Sequence, residues 1–342
     1  MYAAIETSFD ESALAICDID GSTVAALLSS QVELHAPYGG CVPELAARTH
    51  LSNLPQLWHE LPKELTAQVT HFGVTAGPGL PGCLLAGVNF ARGVAAAKQV
   101  PLHGLNHLAG HLFSPFMPDT DPAIPFPHIG LLVSGGHTEL FLVHSLTRIE
   151  LLGQTRDDSV GELLDKVSAM MGYGYPGGSR MEQLARSHSA INEEGRSDRL
   201  FGLPIPMRDS HDFDFSFSGL KTAVSRKARG ADGAVTLAAE RHPALLANLF
   251  DVILESLWIK VQAALERHPV GLVTVSGGVA INGFLRERFA AEGRRAGVDL
   301  RFPARQHCLD NAEMMAFLLK LSVEAGIEPQ SFDAKSNWLP GS

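Results

Sequence analysis

The chain has 342 residues, of which 45% are hydrophobic and 19% are charged. This composition is typical of a globular protein with a sizeable core, and the length favours two domains or two lobes. The net charge of −10 argues against general affinity for nucleic acid, although it leaves room for a local basic patch.

The N-terminus, the apolar runs and the cysteines together indicate a cytoplasmic protein. The N-terminal stretch MYAAIETSFDES carries Glu6, Asp10 and Glu11 and has no basic region before an apolar core, so we expect no signal peptide. No apolar run approaches the roughly 20 residues that a membrane span needs. The longest, LFDVILESLWIKVQAAL, is interrupted by charged residues and predicts an amphipathic helix. The cysteines lack CxxC spacing, as expected of reduced thiols.

Short apolar strands alternate with helical patterns along the chain, as in an α/β protein. MYAAIETS predicts a strand, and ALAICDID and STVAALLSSQVEL continue it as a meander. A helix is predicted from Pro43, because proline is favoured at the first helical position. HFGVTA then predicts a strand and CLLAGVNFARGVAAAKQV a helix. The polar, proline-containing segment from about Arg186 to Asp212 predicts a loop or an insertion.

The loop GPGLPG, residues 77–82, matches G-x-G-x-x-G between a strand and a helix. A dinucleotide fold would also need an acidic residue about 20 positions later to hold the ribose. No Asp or Glu occurs between Cys83 and Pro118, and two prolines in the loop remove N–H groups that a pyrophosphate would use. The pattern therefore favours a tight strand-to-helix turn.

The segment NHLAGHL places His107 and His111 four residues apart, so on a helix both imidazoles could reach one metal ion. A metalloprotease motif, H-E-x-x-H, needs glutamate directly after the first histidine, and here that residue is Leu108. Asp310 is a candidate third ligand, but with Glu313 it also fits a capping box before an apolar helix. The sequence leaves a metal site and two ordinary helix histidines both open.

Two buried-type strands, HIGLLVSGG and VGLVTVSGG, end in the same Ser-Gly-Gly turn, at 134–136 and 276–278. The carboxyl ends of strands are where α/β sheets bind ligands, and glycine lets backbone N–H groups approach a phosphate. Asn282 follows the second turn at a predicted helix start. The pair predicts one such turn in each of two lobes, facing a shared cleft; two purely structural turns are the alternative.

The segment RDDSVGELLDKVSAMMG places Asp158, Glu162 and Asp165 on one face of a predicted helix. The default interpretation is a solvated acidic face in which Glu162 pairs with Lys166. The functional alternative has Asp165 hydrogen-bonding ribose hydroxyls or a carbamoyl group. The glycines of the following GYGYPGG could approach the same ligand.

Ten segments then form a recognisable series. In order they are IETSFDES, YGGCVPELAARTHL, GPGLPGCLLAGVNFARG, NHLAGH, LLVSGGHTEL, DDSVGELLDKV, GYPGG, FSFSGLKTAV, SGGVAINGFLR and CLDNAEMMA. Together they resemble the bacterial tRNA threonylcarbamoyladenosine transferase family, formerly described as O-sialoglycoprotein endopeptidases. The resemblance runs from Ile5 to about Ala316. It implies an α/β fold of the actin/Hsp70/sugar-kinase (ASKHA) type, with two lobes around a nucleotide cleft. One lobe would span 1–125, completed by a C-terminal helix at about 308–330, and the other, with the nucleotide site, 126–307.

The resemblance also implies a metal site and a ligand site. The positions that match metal ligands are His107, His111 and Asp310, for one divalent ion that is usually iron, with zinc as the alternative. The positions that match contacts to threonylcarbamoyl-AMP or an adenine nucleotide are Leu132, Val133, Ser134, Gly135, Gly136, Asp165, Gly178, Glu182 and Asn282. Asp10, with Glu11, matches the acidic pair of the first phosphate loop, and Asp10 is the candidate catalytic acceptor of a proton.

Three positions depart from the family pattern. Phe9 replaces the usual cysteine, Ala109 replaces the glutamate of H-x-E-G-H, and Ile281 is bulkier than the usual residue beside the ligand position. The implied metal ligands are retained, so an active enzyme is expected.

The implied reaction transfers a threonylcarbamoyl group from its adenylate to the exocyclic amine of the adenosine next to the anticodon (t6A) in ANN-decoding tRNAs. The implied partners are tRNA, a paralogous (TsaB-like) subunit and a small (TsaE-like) ATPase, with no membrane. The basic segments SRKARG and RERFAAEGRRAGVDLR are candidates for tRNA contact, or else solvated helix faces. A sugar kinase or ATPase of the same fold and a non-catalytic scaffold subunit are the alternative functions.

Overall fold

The structure is a computed structural model that describes residues 1–118, 124–188, 197–230 and 233–341. The chain folds into two compact units. The first contains Met1–Ile124, Ser145–Ile149 and Pro303–Ser342, and the second contains Pro125–His144 and Glu150–Phe302. Each unit is built on one mixed β-sheet with helices packed against it.

The strands are β1 (Tyr2–Glu6), β2 (Glu11–Cys17), β3 (Thr23–Ser30), β4 (His71–Gly77), β5 (Leu102–Asn106), β6 (His128–Val133), β7 (Thr138–Val143), β8 (Ile149–Gln154), β9 (Leu272–Ser276) and β10 (Asp299–Arg301). The α-helices are α1 (Val32–His35), α2 (Pro43–Glu60), α3 (Lys63–Thr66), α4 (Pro81–Lys98), α5 (His107–Phe113), α6 (Val160–Met170), α7 (Gly178–Arg186), α8 (Ser218–Ala228), α9 (His242–Arg267), α10 (Gly283–Ala296) and α11 (Ala312–Glu324).

The sheet of the first unit has the order β3-β2-β1-β4-β5. The meander β1-β2-β3 is antiparallel, as predicted, whereas β4 and β5 run parallel to β1. Helices α2, α4 and α11 pack on this sheet, which explains why every residue of β1 is buried. The core includes Ile5, Phe72, Val74 and Val88.

The carboxyl ends of the parallel strands place the polar residues of this unit at one edge of the sheet. Strand β1 ends at Glu6, and β5 ends at Asn106, which is also the N-cap of α5. The Asn106 side chain accepts a hydrogen bond from the Ala109 N–H at 3.0 Å and donates one to the Trp338 carbonyl at 2.9 Å. These bonds fix where α5 begins, and therefore where its histidines lie.

The sheet of the second unit has the order β10-β9-β6-β7-β8, with β9 parallel to both β6 and β10. Both Ser-Gly-Gly turns therefore follow neighbouring strands of one sheet, and the prediction of one turn in each lobe is wrong. A close approach explains the glycine at the second turn. Gly277 has φ +89°, and an added Cβ would lie 2.5 Å from the Val133 carbonyl oxygen.

Helix α9 differs from the amphipathic helix that the sequence predicts, because Asp251 and Lys260 are buried. Asp251 pairs with Arg199 at 2.6 Å and with Arg288 at 3.3 Å. Lys260 donates to the Ser210 hydroxyl at 2.6 Å. Buried charges persist only when they are paired, and these partners lie far away in the sequence. Among the described residues, no helix is long and apolar enough to cross a membrane.

The sequence predicts a turn at GPGLPG and a loop or insertion from about Arg186 to Asp212. The GPGLPG loop is a strand-to-helix turn, as predicted, because β4 ends at Gly77 and α4 begins at Pro81. Of the predicted loop after Arg186, residues 187–188 and 197–212 form neither helix nor strand, as expected. Residues 189–196 lie outside the described part of the chain.

Candidate metal centre and ligand-binding turns

The two histidines of α5 lie against Asp310, which precedes α11. The His111 Nε2 atom is 2.9 Å from Asp310 Oδ1, and the His107 Nε2 atom is 3.6 Å from the same oxygen. The side chains of His107 and His111 are only 3% and 1% exposed, whereas that of Asp310 is 24% exposed. The two imidazole rings lie edge to face, with their centroids 4.8 Å apart. The sequence could not predict this meeting, because Asp310 is 199 residues from His111.

The capping-box interpretation of Asp310 is wrong. The N-cap of α11 is Asn311, whose side chain accepts a hydrogen bond from the Met314 N–H at 2.8 Å. Glu313 pairs instead with His307 at 3.3 Å. The carboxylate of Asp310 is therefore used toward the histidines rather than toward the helix end.

These three side chains fit a divalent metal ion. One ligand atom from each of His107, His111 and Asp310 lies within 4.8 Å of the others. Two imidazole nitrogens and one carboxylate are a donor set that suits iron(II) or zinc, and three protein ligands leave coordination positions open for substrate or water. The three residues therefore form a candidate metal centre.

Glu6 is a residue of this centre that the sequence interpretation missed. Its side chain is 1% exposed, and its Oε2 atom is 3.0 Å from His107 Nδ1. The Thr75 hydroxyl donates to Oε2 at 2.6 Å, and the Ser8 N–H donates to Oε1. The sequence did offer a signal for this role, since Glu6 is the only charged residue of the apolar strand YAAIE. A charge at the end of a buried strand requires nearby partners.

The Glu6–His107 pair is electrostatically coupled to Asp310. Burial by itself lowers the pKa of His107, but the charges of Glu6 and Asp310 and the hydrogen bond to Glu6 outweigh burial and raise this pKa to about 9. Burial by itself raises the pKa of Glu6, but His107 overcomes it and lowers that pKa. Without a metal the pair is therefore a buried ion pair, and an ion binding at Nε2 would displace a proton.

Asp10 lies in a different group of side chains, with His35 and Cys41, whose potential ligand atoms are within 4.8 Å of one another. The His35 Nδ1 atom accepts a hydrogen bond from the Val42 N–H at 3.3 Å. A neutral ring then keeps its proton on Nε2, which is unfavourable for metal binding. Burial and the adjacent Asp10 raise the pKa of Glu11, which shares a hydrogen bond with Asp10. This acidic pair is suited to holding a proton.

Phe9 and Ala109, two of the three departures from the family pattern, lie close to the candidate metal centre. The Phe9 ring packs edge to face on the His107 ring, with centroids 5.8 Å apart. Ala109 is buried within α5. The third departure, Ile281, is 36% exposed in the second unit, just before α10.

The first Ser-Gly-Gly turn is tied to the start of α6. The Ser134 carbonyl accepts a hydrogen bond from the Gly161 N–H at 3.2 Å, and the Ser159 hydroxyl donates to the Gly135 carbonyl. Gly135 and Gly136 are exposed, and open space surrounds the position of a Cβ on Gly135. An anion could therefore approach the backbone of this turn closely.

Leu132 and Val133 are fully buried in β6, so their side chains hold the strand in place and are not accessible to a ligand. Leu132 lies directly between Glu139 on β7 and Ser276 on β9. Glu139 is 6% exposed, and its Oε2 atom has no hydrogen-bond partner among the described residues. Burial raises the pKa of Glu139 to about 7.

Asp165 is not part of a solvated acidic face. Lys166 pairs with Asp158 at 2.6 Å and with Glu162 at 3.6 Å, so the default interpretation holds for those two acids. Asp165 is half-buried, and it accepts a hydrogen bond from the Gly177 N–H at 2.8 Å. Burial, opposed by this hydrogen bond, raises its pKa. Asp165 thus holds the glycine turn at which Gly178 begins α7.

Glu182 and Asn282 meet at the start of α10. The Glu182 carboxylate accepts a hydrogen bond from the Gly283 N–H at 2.9 Å and pairs with Arg186 at 3.0 Å. Asn282 is the N-cap of α10, and its side chain accepts a hydrogen bond from the Leu285 N–H at 3.1 Å. The structure therefore connects α6, α7 and α10 through Gly177 and Gly283. Gly177 belongs to the GYGYPGG turn that the sequence interpretation placed near the ligand, whereas Gly283 was not singled out.

The basic residues proposed for tRNA contact divide into two classes. Arg288 is fully buried and pairs with Asp251 and Glu292, so it is excluded as a phosphate contact. Arg226 and Lys227, near the end of α8, are exposed. These two residues remain candidates, as do Arg294 and Arg295 in the last turn of α10, which are also exposed.

Comparison with known proteins identifies close relatives over most of the chain. Residues 22–317 match the family model of the tRNA N6-adenosine threonylcarbamoyltransferases. The chain is 43% identical over 322 residues to the protein of that name from Thiobacillus denitrificans, covering 93% of this chain and 89% of the relative. It is 42% identical over 325 residues to the one from Aromatoleum aromaticum, covering 94% and 91%.

Solved structures with much lower sequence identity share the fold. Full-length HypF in its phosphate- and nucleotide-bound form is similar with a TM-score of 0.60 at 11% identity, covering 96% of this chain and 56% of HypF. T. kodakarensis HypF gives 0.59 at 12% identity, covering 94% and 48%. The chain thus spans about half the length of these proteins. The predicted ASKHA-type α/β fold is confirmed.

The metal centre predicts that His111→Ala abolishes metal retention, because the ion would lose one of three protein ligands. Elemental analysis of the purified variant, with exposed His59→Ala as the matched control, measures this. Full metal content in His111→Ala would show that the ion, if any, binds elsewhere.

The buried Glu139 predicts a specific pH dependence of stability. Its pKa is about 7 when folded, against an ordinary value of 4.5, so folded protein keeps a proton that unfolded chain has lost. The free energy of unfolding should therefore fall as pH rises from about 4.5 through about 7, by up to roughly 3 kcal/mol. Glu139→Gln should remove this fall. Urea unfolding at pH 5 and pH 8 tests it, and Glu150→Gln, whose side chain is 55% exposed in the wild type, should retain the fall. An identical pH dependence in wild type and Glu139→Gln would contradict the prediction.

Proposed function

This chain belongs to the tRNA N6-adenosine threonylcarbamoyltransferase family, and on that premise we propose how its residues carry out the reaction. It is an acyltransferase that moves the threonylcarbamoyl group from threonylcarbamoyl-AMP to the exocyclic amine of the adenosine next to the anticodon. The product is t6A in ANN-decoding tRNAs. The observation that carries the proposal is the convergence of His107, His111 and Asp310 in a chain with this family match.

We propose that His107, His111 and Asp310 hold one divalent ion, iron or alternatively zinc. An aromatic amine is a weak nucleophile, so the acyl carbon has to be made more electrophilic. The chemistry supplied by a bound ion is polarisation of the carbamoyl oxygen. The protein contributes a buried, preorganised ligand set, since both imidazoles are almost completely enclosed.

The turns of the second unit are proposed to hold the adenylate. The exposed backbone N–H groups of Gly135 and Gly136 suit the phosphate of the AMP leaving group, whereas the Ser134 N–H already donates to the His137 carbonyl at 2.8 Å. Buried Leu132 and Val133 fix the strand that leads into this turn. The group of Asp165, Gly178, Glu182 and Asn282 is proposed to bind the rest of the adenylate. Its support is the hydrogen-bonded connection of α6, α7 and α10.

Asp10 is proposed to accept the proton that the amine loses. Its carboxylate shares a hydrogen bond with Glu11, whose raised pKa favours a state in which one proton is held between the two acids. Such a pair can take up a proton and pass it on without creating two adjacent charges.

The acidic chain is proposed to act with partners in the cytoplasm. Arg226 and Lys227 provide a small exposed basic patch for the tRNA backbone, but a net charge of −10 opposes strong binding by this chain alone. A TsaB-like paralogous subunit and a small TsaE-like ATPase are the proposed sources of additional tRNA affinity.

The alternative functions have less support. Curated relatives that cover most of the chain are named as transferases, which disfavours a sugar kinase or ATPase. A non-catalytic scaffold would not need two buried histidines held against the carboxylate of Asp310.

Asp165→Ala should weaken binding of the adenylate or of ADP by roughly 1.5–3 kcal/mol, because a charge-assisted hydrogen bond is lost. Titration calorimetry measures the change. Asp158→Ala, which removes a carboxylate paired with Lys166 just before the same helix, is the matched control and should bind as the wild type does. Unchanged affinity in Asp165→Ala would remove this residue from the site.

Depletion of the protein from cells should lower t6A in ANN-decoding tRNAs, as measured by mass spectrometry of digested tRNA. Wild-type chain should restore the modification and His111→Ala should not. Unchanged modification in depleted cells that hold no second copy of the enzyme would contradict the transferase function.

A further inference from the structure

The buried carboxylate of Glu6 lies on the side of the His107 ring opposite to the proposed ligand atom. We propose that Glu6 is a positioning residue of the metal centre, which holds His107 in the tautomer with the proton on Nδ1 and the lone pair on Nε2. This inference rests on the metal site proposed above. It assigns a role to a side chain that is not itself a ligand.

The donors around Glu6 determine the direction of its hydrogen bond with His107, because both carboxylate oxygens already accept, one from the Thr75 hydroxyl and one from the Ser8 N–H. The Glu6 Oε2 atom is 3.0 Å from His107 Nδ1, and an ionised carboxylate can only accept. Nδ1 must therefore carry the proton. In a neutral ring the lone pair then belongs to Nε2, the nitrogen 3.6 Å from Asp310 Oδ1. A carboxylate behind a ligating histidine fixes the ring and raises the basicity of its ligand atom.

Glu6 is itself held rigidly, so it can impose an orientation on the ring. The Thr75 hydroxyl, from the neighbouring strand β4, donates to Oε2 at 2.6 Å, and the Ser8 N–H donates to Oε1. These donors come from two different segments and engage both oxygens. With Glu6 only 1% exposed, water does not compete for the carboxylate.

The nearby Ser8 hydroxyl could not take over the role of Glu6, because it does not fix the tautomer of His107. The Ser8 hydroxyl lies 3.2 Å from His107 Nδ1, and a hydroxyl can donate as well as accept. Without the carboxylate, Ser8 could donate to Nδ1 and so place the ring proton on Nε2, where it blocks the ligand lone pair. Within the described residues, Nδ1 of His111 has no hydrogen-bond partner, so the second histidine offers no equivalent support.

The first measurement is metal affinity of the full-length chain, with zinc as the probe and a competing chelator. Glu6→Gln and Glu6→Ala should bind zinc on the order of 10–100-fold more weakly than the wild type. Thr75→Val removes a donor to the same carboxylate without touching His107 and should give a smaller loss. Glu139→Gln makes the same chemical change at a buried glutamate of the second unit and should leave zinc affinity unchanged.

The second measurement separates positioning from a purely structural role. Nitrogen-15 spectra of the histidine rings should show zinc on Nε2 and a proton on Nδ1 of His107 in the wild type. Glu6→Gln, which preserves the size of the side chain, should show a mixture, because a carboxamide can donate or accept.

The possible outcomes test the role of Glu6 separately from the proposed metal site and the proposed function. Wild-type zinc affinity and an unchanged His107 tautomer in Glu6→Gln would overturn the role of Glu6, yet leave the metal site intact if His111→Ala still loses zinc. A wild-type chain that binds no zinc would overturn the metal site and this inference together. Neither result alters the tRNA assay, which tests the function itself.

Discussion

The first unit depends on the burial of a charged carboxylate at the end of β1. Glu6 is almost fully enclosed, and a charge in that position is tolerated only with an opposite charge and hydrogen-bond donors around it. His107, Thr75 and Ser8 supply them, from α5, from β4 and from the turn after β1. The same contact that stabilises Glu6 orients the imidazole toward Asp310, so the stability of this region and the geometry of the candidate metal centre depend on one interaction.

The second unit meets a different requirement, the close approach of two parallel strand ends. Strands β6 and β9 are neighbours, and Gly277 lies against the Val133 carbonyl where a side chain would collide. Both Ser-Gly-Gly turns therefore belong to one sheet edge, and the first is secured to α6 by the bond from Ser159. A ligand bound there would meet backbone donors whose positions are fixed before it arrives, which lowers the cost of binding an anion.

Negative and positive side chains are distributed differently in the two units. Carboxylates accumulate around the candidate metal centre, where Glu6, Asp10, Glu11 and Asp310 favour a cation over an anionic polymer. Much of the positive charge in the second unit is used internally, as Arg288 is by Asp251 and Glu292. The net charge of −10 also opposes tight binding of a phosphate backbone by this chain alone.

The sequence alone determined features whose information is local. The spacing of His107 and His111 placed both on one helix face, the glycines of 77–82 fixed a turn, and the ordered motifs identified the family and its fold. Contacts between distant segments were decided only by the tertiary structure. Asp310 contacts His111 although 199 residues separate them, and Glu6 contacts His107 although 101 residues separate them. No periodic pattern in the sequence predicts either contact. Strand order placed the two Ser-Gly-Gly turns side by side, and buried partners turned the polar residues of α9 inward. The reason is physical: local backbone preferences act within a few residues, whereas the pairing of a buried charge depends on which distant segments the sheet brings together.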